Sequence, residues 1–210
     1  MAEKERHVLN EIKLVKAEKV ELADAHCHLD MIKDPSAIQD AMSHGVLTMI
    51  SNGVSTHTNK KTIELCDKRR IFAALGIDPE NAMKIGDDDL DEEIEKNAAL
   101  IKSNLNVVVA IGEIGLDYLK ANSYDLVAKQ KTVFERFLDI AKSLDLPVSV
   151  HSRLAMDDVM AMLKEKDIEK AHLHFFEGNV QQAKEAERLG YMISIPPIES
   201  TKECIRKTCV

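Results

Sequence analysis

Aromatic residues are scarce in this sequence: tryptophan is absent, and only five phenylalanines and three tyrosines are present. Proteins that hold single-stranded nucleic acid without sequence preference stack its bases on aromatic side chains. The composition therefore argues against an aromatic nucleic-acid platform. Cysteines are also few, and Cys27, Cys66, Cys204 and Cys209 form no CxxC pair. No disulfide framework is indicated, and reduced thiols in the cytoplasm are the expectation.

Long hydrophobic runs are missing as well. The longest apolar stretches have the length of a strand, too short to span a bilayer, and no apolar secretory segment stands at the N-terminus. We therefore expect a cytoplasmic protein with no membrane partner, and no obligate protein partner is evident. The formal net charge of −8 argues against a simple DNA-binding module. It argues less against a metalloenzyme, because bound cations bring their own positive charge.

Short apolar runs alternate with amphipathic segments, a pattern typical of a parallel sheet that is covered by helices. The predicted strands are Val20–His26, Val46–Ser51, Ile71–Gly76, Val107–Glu113, Leu146–His151, Ala171–His174 and Tyr191–Ile195. The helical patterns are clearest from Asp34 to Ser43 and over Leu90–Asn104, Lys129–Leu144, Asp157–Lys166 and Val180–Leu189.

Seven βα-type strands in one uninterrupted chain favour a closed barrel over an open sheet. The predicted fold class is therefore α/β, a (β/α)8 TIM barrel. Such barrels have eight strands, and the 210 residues offer no eighth βα unit, so we expect a barrel that lacks it. Residues 1–19 are charged with sparse apolar positions and are predicted as an added arm or helix. Residues 20–210 are predicted as the barrel domain.

The segment DAHCHLD, from Asp24 to Asp30, carries the strongest chemical signal. His26 and His28 are two residues apart at the end of a predicted strand, so strand alternation directs both imidazoles to one face. Two imidazoles on one rigid support suit zinc or a similar cation. An isolated His-x-His pair could equally be two surface histidines at a strand end.

Other ligand types follow later strands. Glu113, His151 and His174 each stand at the end of an apolar run. Taken singly, the acid could belong to a turn and each histidine to the core. The carboxyl ends of the strands form the active-site face of a barrel, so their joint placement predicts a centre of one or two divalent ions. Zn, Mg and Mn all suit such ligands, and a carboxylate in this company can bridge two cations.

Four further residues are weaker candidates. Arg153 could clamp a phosphate or make a salt bridge at a helix start, and Asp117 lies in the same region of the predicted sheet edge. Asp24 could support a ligand imidazole or make a hydrogen bond at the strand end. His172 alternates with the last ligand histidine, and packing is the simpler role for it.

The segments DAHCHLD, GEIGLDY, VSVHSR and His174 to Gly178 occur in the order and spacing of the TatD-type deoxyribonuclease family, which residues 20–200 resemble. The resemblance implies a TIM barrel of the amidohydrolase kind, a metal centre and hydrolysis of DNA, often as a 3′-to-5′ exonuclease. It implies that His26 and His28 hold one cation and that His151 and His174 hold the second. Glu113 would bridge the two as the catalytic carboxylate.

Three features depart from the family pattern. Where the family usually has G-x-H-P-H, this chain has Gly-Ile-Asp-Pro-Glu, and Asp78 and Glu80 would repel a phosphodiester if they faced the cleft. Leu154 stands where the family tends to have Asp. The late Asp that follows the family's eighth strand has no counterpart in these residues. In the family this Asp is expected to take the proton of the attacking water, so proton transfer is the step that its absence would affect most.

The sequence therefore predicts a divalent-metal-dependent hydrolase whose substrate is DNA. A second hypothesis keeps the barrel and makes the chain an amide or ester hydrolase, which the acidic Asp78 and Glu80 favour. A third hypothesis is a non-catalytic metal-binding protein that lacks the eighth unit.

Overall fold

Seven parallel strands form one sheet in the computed structural model, which describes residues 21–195. The strands are β1 (Leu22–Cys27), β2 (Val46–Asn52), β3 (Ile71–Leu75), β4 (Val108–Asp117), β5 (Val148–Arg153), β6 (Ala171–Leu173) and β7 (Met192–Ile193). Each strand pairs in parallel with the next one in the sequence. Parallel strands in sequential order are the wall of a (β/α) barrel. The predicted arm, residues 1–19, lies outside the described residues.

Helices connect the strands and cover the sheet. They are α1 (Ala37–Ser43), α2 (Thr56–Leu65), α3 (Pro79–Lys84), α4 (Leu90–Lys102), α5 (Tyr124–Leu144), α6 (Met156–Glu165) and α7 (Val180–Arg188). Short 3-10 turns, Leu29–Met31 and Asp87–Asp89, precede α1 and α4. None of the helices within residues 21–195 combines the length and the apolar character that crossing a bilayer would require.

Two of these helices escaped the sequence analysis. Helix α2 carries few apolar residues, and Ser55 starts it through a capping box with Thr58. Helix α3 has only six residues; the Asp78 side chain accepts a hydrogen bond from the backbone N–H of Asn81 and caps its start, with Pro79 in the first turn. Polar caps, rather than an apolar stripe, therefore specify both helices.

The core lies between the barrel wall and the helices. Phe134, Phe137 and Leu138 of α5 are fully buried in one cluster with Ile111 and Ile114 of β4. Long aromatic and aliphatic side chains of this kind contribute about 1.5–3 kcal/mol each when buried. Helix α6 adds Met156 and Met160 as buried residues and Met162 as a partly buried one, so these methionines pack as predicted.

The structure extends β4 four residues beyond its predicted end at Glu113. The pairing with β5 continues as far as Asp117, which stands opposite Arg153. The two edge strands of the described sheet are less buried or shorter than the central ones. The first four residues of β1, Leu22–Ala25, are exposed, and β7 has only two residues. No eighth strand is found within residues 21–195.

Candidate metal centre

The five predicted ligands meet at one end of the sheet. His26 belongs to β1 and His28 follows that strand directly, while His174 follows β6. Glu113 and His151 lie on β4 and β5. Two groups of three side chains could each hold a metal ion: His26, His28 and Glu113, and Glu113, His151 and His174.

Glu113 is the member that both groups share. Its Oε1 atom lies 2.9 Å from Nδ1 of His151 and 2.9 Å from Nε2 of His174. Its Oε2 atom lies 3.2 Å from Nε2 of His28 and 3.4 Å from Nε2 of His26. Each carboxylate oxygen thus faces one pair of imidazoles, which is the arrangement of a carboxylate that bridges two cations.

The backbone around Glu113 packs closely against the neighbouring strands. A side chain at Gly115 would place its Cβ only 2.0 Å from the carbonyl oxygen of His151, and Gly115 has a φ of +140°. Glycine is therefore required where β4 approaches β5 most closely. The Glu113 N–H also donates to the carbonyl of Gly53 just after β2, at 2.9 Å.

The imidazoles control the ionisation of Glu113. The residue is only 5% exposed, and burial by itself would raise the pKa of its carboxyl group. Hydrogen bonds with His151, His174, His26 and His28 outweigh the burial and hold the pKa of Glu113 well below its usual value. The side chain is therefore an anionic carboxylate at neutral pH.

The tautomer of His28 also suits a metal ligand. Its Nδ1 lies 2.8 Å from the backbone carbonyl of Asn52, and because a carbonyl only accepts, Nδ1 must carry the hydrogen. Nε2 is then the nitrogen that faces the Glu113 carboxylate, at 3.2 Å: when protonated it donates to Oε2, and when deprotonated it presents a lone pair there. A cation that displaced this proton would be bound by both groups.

His26 provides the direct test of whether the residues fit a cation. Its Nδ1 lies 2.8 Å from the hydroxyl of Ser149, and its buried Nε2 faces Oε2 of Glu113 at 3.4 Å. An imidazole nitrogen held beside a buried carboxylate in this way suits a cation that both groups could bind. The His26 ring also stacks on His174 at 3.9 Å between centroids and 8° between planes. This stacking links the two ligand groups.

Asp117 and Ser149 join the site from the same two strands. Oδ2 of Asp117 lies 3.3 Å from Nε2 of His151, the nitrogen that points away from Glu113. From the sequence, Asp117 was a weak candidate without a predicted role, and Ser149 was not predicted to belong to the site. Ser149 stands two residues before His151, so strand alternation was a signal that could have found it. The contribution of the Asn52 backbone carbonyl could not be predicted from the sequence, because every residue type has a backbone carbonyl.

The weaker candidates have different outcomes. Asp24 accepts a hydrogen bond from the backbone N–H of His26, which is the strand-end bond and not support for a ring. His172 is half-buried; burial lowers its pKa to about 4, and the charges of His26 and His174 act in the same direction. The side chain of Arg153 is exposed and has no hydrogen-bond or ion-pair partner in the described part of the chain.

The two acids of the altered family segment face different surroundings. Asp78 caps α3 and is half-buried; burial raises its pKa, opposed by hydrogen bonds from Asn81, and the Glu113 charge adds to the rise. Glu80 is exposed and pairs with Lys84 at 3.1 Å and with Lys120 at 3.8 Å. Of these two acids, therefore, Asp78 is the one whose negative charge lies near the candidate metal centre without a cationic partner among the described residues.

Comparison with known proteins identifies the family. The sequence profile described as TatD related DNase matches residues 23–208. The chain belongs to the TatD-related DNase family. Human deoxyribonuclease TATDN3 is 31% identical to this TatD-family chain over 197 residues, which cover 87% of the chain and 70% of the human protein. The uncharacterized metal-dependent hydrolase MJ1582 of Methanocaldococcus jannaschii is 31% identical over 192 residues, which cover 90% and 72%.

A solved structure supports the same assignment. The crystal structure of YjjV, a TatD homologue from Escherichia coli, matches the TatD-family chain with a TM-score of 0.74 at 30% identity. The match covers 84% of this chain and 68% of that one. The predicted TIM-barrel fold class is confirmed, with seven of its strands in residues 21–195. The chain is a metal-dependent hydrolase of the TatD family, as its motifs predicted.

Proposed function

We propose that this chain hydrolyses the phosphodiester bonds of DNA, from the 3′ end, with one or two divalent cations. His26, His28, His151 and His174 would hold the cations, and Glu113 would be the bridging, catalytic carboxylate. The observation that carries the proposal is the division of the Glu113 carboxylate between two pairs of imidazoles. The human relative TATDN3 is likewise a deoxyribonuclease by name.

The chain's own residues would bind and orient the reacting groups. Divalent cations, when bound, lower the pKa of a water molecule and neutralise the oxygens of a transferring phosphoryl group. Glu113 remains anionic because four imidazoles hold its pKa down, so it would attract the cations that these imidazoles would hold. The stacked His26 and His174 rings hold the two ligand groups against each other.

Arg153 would bind a phosphate of the DNA backbone. Strand alternation places it on the same face of β5 as Ser149 and His151, and its guanidinium has no partner in residues 21–195. Guanidinium groups bind phosphate through paired N–H donors.

Hydrolysis of an amide or ester is a second candidate, favoured by Asp78. Its carboxylate acts electrostatically on both Glu113 and His151, where it would oppose an anionic phosphodiester. A neutral substrate would not meet this penalty. The cations of a loaded centre offset the negative charge, which is why we prefer the phosphodiester.

A labelled oligonucleotide assay tests the proposal. Single-stranded DNA carrying a label at the 3′ or the 5′ end is incubated with Mg²⁺, Mn²⁺ or Zn²⁺, beside a panel of cyclic amides. We expect early release of the 3′ label, loss of activity with a chelator, and little amide hydrolysis. Amide turnover without DNA cleavage under any of the three ions would refute the phosphodiester assignment.

The Arg153 role has its own test and a matched control. Arg153→Ala should raise KM for DNA about tenfold, the loss of one charged hydrogen bond, while kcat changes little. Arg69→Ala removes the same charge from an exposed residue that precedes β3. Equal effects of the two substitutions would indicate general electrostatics instead of a phosphate contact.

We also propose a cytoplasmic location and a hydrolase domain over residues 20–210. Both thiols in the described part of the chain, Cys27 and Cys66, are free. Burial raises the pKa of Cys27 to about 12 and that of Cys66 to about 11. Both therefore remain protonated at neutral pH, which suits a reducing compartment.

A further inference from the structure

We propose that Asp117 is a positioning residue, which fixes the His151 ring in the tautomer whose Nδ1 is free to bind a cation. The inference rests on the proposed metal site and adds a residue that acts through one of its ligands. Asp117 itself belongs to neither of the two candidate ligand groups. Its effect is transmitted by the His151 ring.

The two nitrogens of His151 face two different carboxylates. Nδ1 lies 2.9 Å from Oε1 of Glu113, and Nε2 lies 3.3 Å from Oδ2 of Asp117. Because a carboxylate only accepts, the neutral ring donates through its N–H to one of them. Donation from Nε2 to Asp117 leaves the lone pair on Nδ1, beside the atoms that would share a cation. The opposite tautomer would place a lone pair against Asp117 and a hydrogen where the cation belongs.

Asp117 is held in place from three sides. The side chain of Gln130, fully buried on α5, accepts from the backbone N–H of Asp117 at 2.9 Å and donates to its carbonyl at 3.1 Å. Oδ1 of Asp117 accepts from the backbone N–H of Lys120 at 3.0 Å, which leaves Oδ2 for His151. Asp117 is only 5% exposed, so water competes little for these bonds. Such outer hydrogen bonds orient ligand imidazoles in metal sites.

The other ligand rings have different supports. His26 relies on the Ser149 hydroxyl and His28 on the Asn52 carbonyl. Asp117 therefore supports the cation position formed by Glu113, His151 and His174. It has no hydrogen bond to the His26 or His28 ring of the second candidate position. A change at Asp117 should weaken one cation site and spare the second, which a general loss of structure would not do.

Asparagine is the informative substitution for Asp117. The side chain introduced by D117N has one acceptor oxygen in place of two, and the N–H of Lys120 already needs one. Its NH₂ group would then face Nε2 of His151 and donate to it, which favours the hydrogen on Nδ1. Replacement of such an Asp by Asn in a catalytic triad selects the wrong His tautomer in the same way. D117N should therefore be at least as damaging as D117A.

Cobalt titration of the full chain tests the site selectivity. Visible absorption and competition with a chelator report the affinity of each Co²⁺ site in the wild type, D117N, D117A and the control D125N, which alters an exposed acid in the first turn of α5. We expect D117N and D117A to weaken one Co²⁺ site about 10- to 100-fold and to leave the other within about twofold. D125N should match the wild type.

A second readout uses the Zn²⁺-loaded chain, because without metal the shorter contact of Nδ1 with Glu113, 2.9 Å against 3.3 Å for Nε2 with Asp117, favours the hydrogen on Nδ1. Nitrogen-15 NMR of the histidine rings shows which nitrogen of His151 carries the hydrogen. With Zn²⁺ we expect Nε2–H in the wild type and Nδ1–H in D117N. An unchanged tautomer in D117N, or equal weakening of both Co²⁺ sites, would overturn the positioning role. A wild type that binds neither Co²⁺ nor Zn²⁺ would instead overturn the metal site on which the inference rests.

Discussion

Replacing Glu113 by Gln removes the carboxylate that both ligand groups share, while its size is kept. Without metal, two effects on the free energy of unfolding oppose each other. The variant loses charge-assisted hydrogen bonds worth about 1.5–3 kcal/mol each, and it is relieved of a desolvation cost of several kcal/mol for a buried carboxylate. We therefore expect the metal-free melting temperatures of Glu113→Gln and the wild type to lie close together.

The difference should emerge when metal is added. At a free metal concentration of about 100 Kd, binding stabilises the wild type by about 2.7 kcal/mol, and a variant with about 100-fold weaker affinity gains only about 0.4 kcal/mol. In a domain of this size 1 kcal/mol shifts the melting temperature by about 2–4 °C. The metal should therefore raise the wild-type Tm by about 5–11 °C and that of the variant by about 1 °C.

Thermal melts with and without Mn²⁺ or Zn²⁺, beside DNA cleavage by the same samples, measure both consequences. The variant should lose nuclease activity by at least about a thousandfold, the scale of a principal catalytic electrostatic group. A variant that keeps the full metal-induced rise in Tm would refute the bridging role of Glu113. A metal-free variant that no longer unfolds cooperatively would instead show that the carboxylate is structural.

Three further predictions concern the scaffold. Gly115→Ala should abolish cooperative folding, because its Cβ would lie 2.0 Å from a backbone oxygen. Gly190→Ala alters a residue with a φ of +77° and open space around it, so it should lower the free energy of unfolding in urea by only about 1–2 kcal/mol. Equal losses of stability in the two glycine variants would contradict the close approach of Gly115 to the His151 backbone. Phe137→Ala should lower the free energy of unfolding by about 3–5 kcal/mol, because the ring is fully buried. Tyr124→Ala alters a residue that is 94% exposed and should lower it by less than about 0.5 kcal/mol. Since the folded-state pKa of His172 lies below its usual value of 6.5, the unfolded chain takes up the proton first as pH falls. The contribution of neutral His172 to the free energy of unfolding is complete above pH 6.5 and is lost as the pH falls toward 4. This loss amounts to about 1–2 kcal/mol after allowance for the partial exposure of the ring. His172→Leu in chelator should show a smaller loss between pH 7 and 4.5, and an identical loss would contradict this assignment.

Sequence alone predicted the strands better than the short helices. The apolar runs that became β2, β3 and β6 begin at the predicted residues, because strands buried on both faces are nearly continuous in apolar residues. Helices α2 and α3 were missed because their caps at Ser55 and Asp78 carry the signal, which a search for apolar stripes does not detect. The extension of β4 to Asp117 depends on its pairing with β5, which is a long-range contact.

The candidate ligands were determined by the sequence itself. His26, His28, Glu113, His151 and His174 all end apolar runs, and the topology of a parallel barrel brings the carboxyl ends of its strands to one face. Strand alternation then directs the side chains of each motif inward. These rules are local or topological, so they can be read without distances.

What surrounds the ligands was decided only by the tertiary structure. The bond from His26 to Ser149 joins residues 123 positions apart, and the one from His28 to Asn52 uses a backbone carbonyl that no residue type marks. Asp78 became a helix cap, and Asp117 became the partner of His151. Hydrogen bonds depend on separations of a few tenths of an ångström and on direction. Such separations are set by the register of the strands and the packing of α5 against β4, so no local pattern in the sequence specifies them.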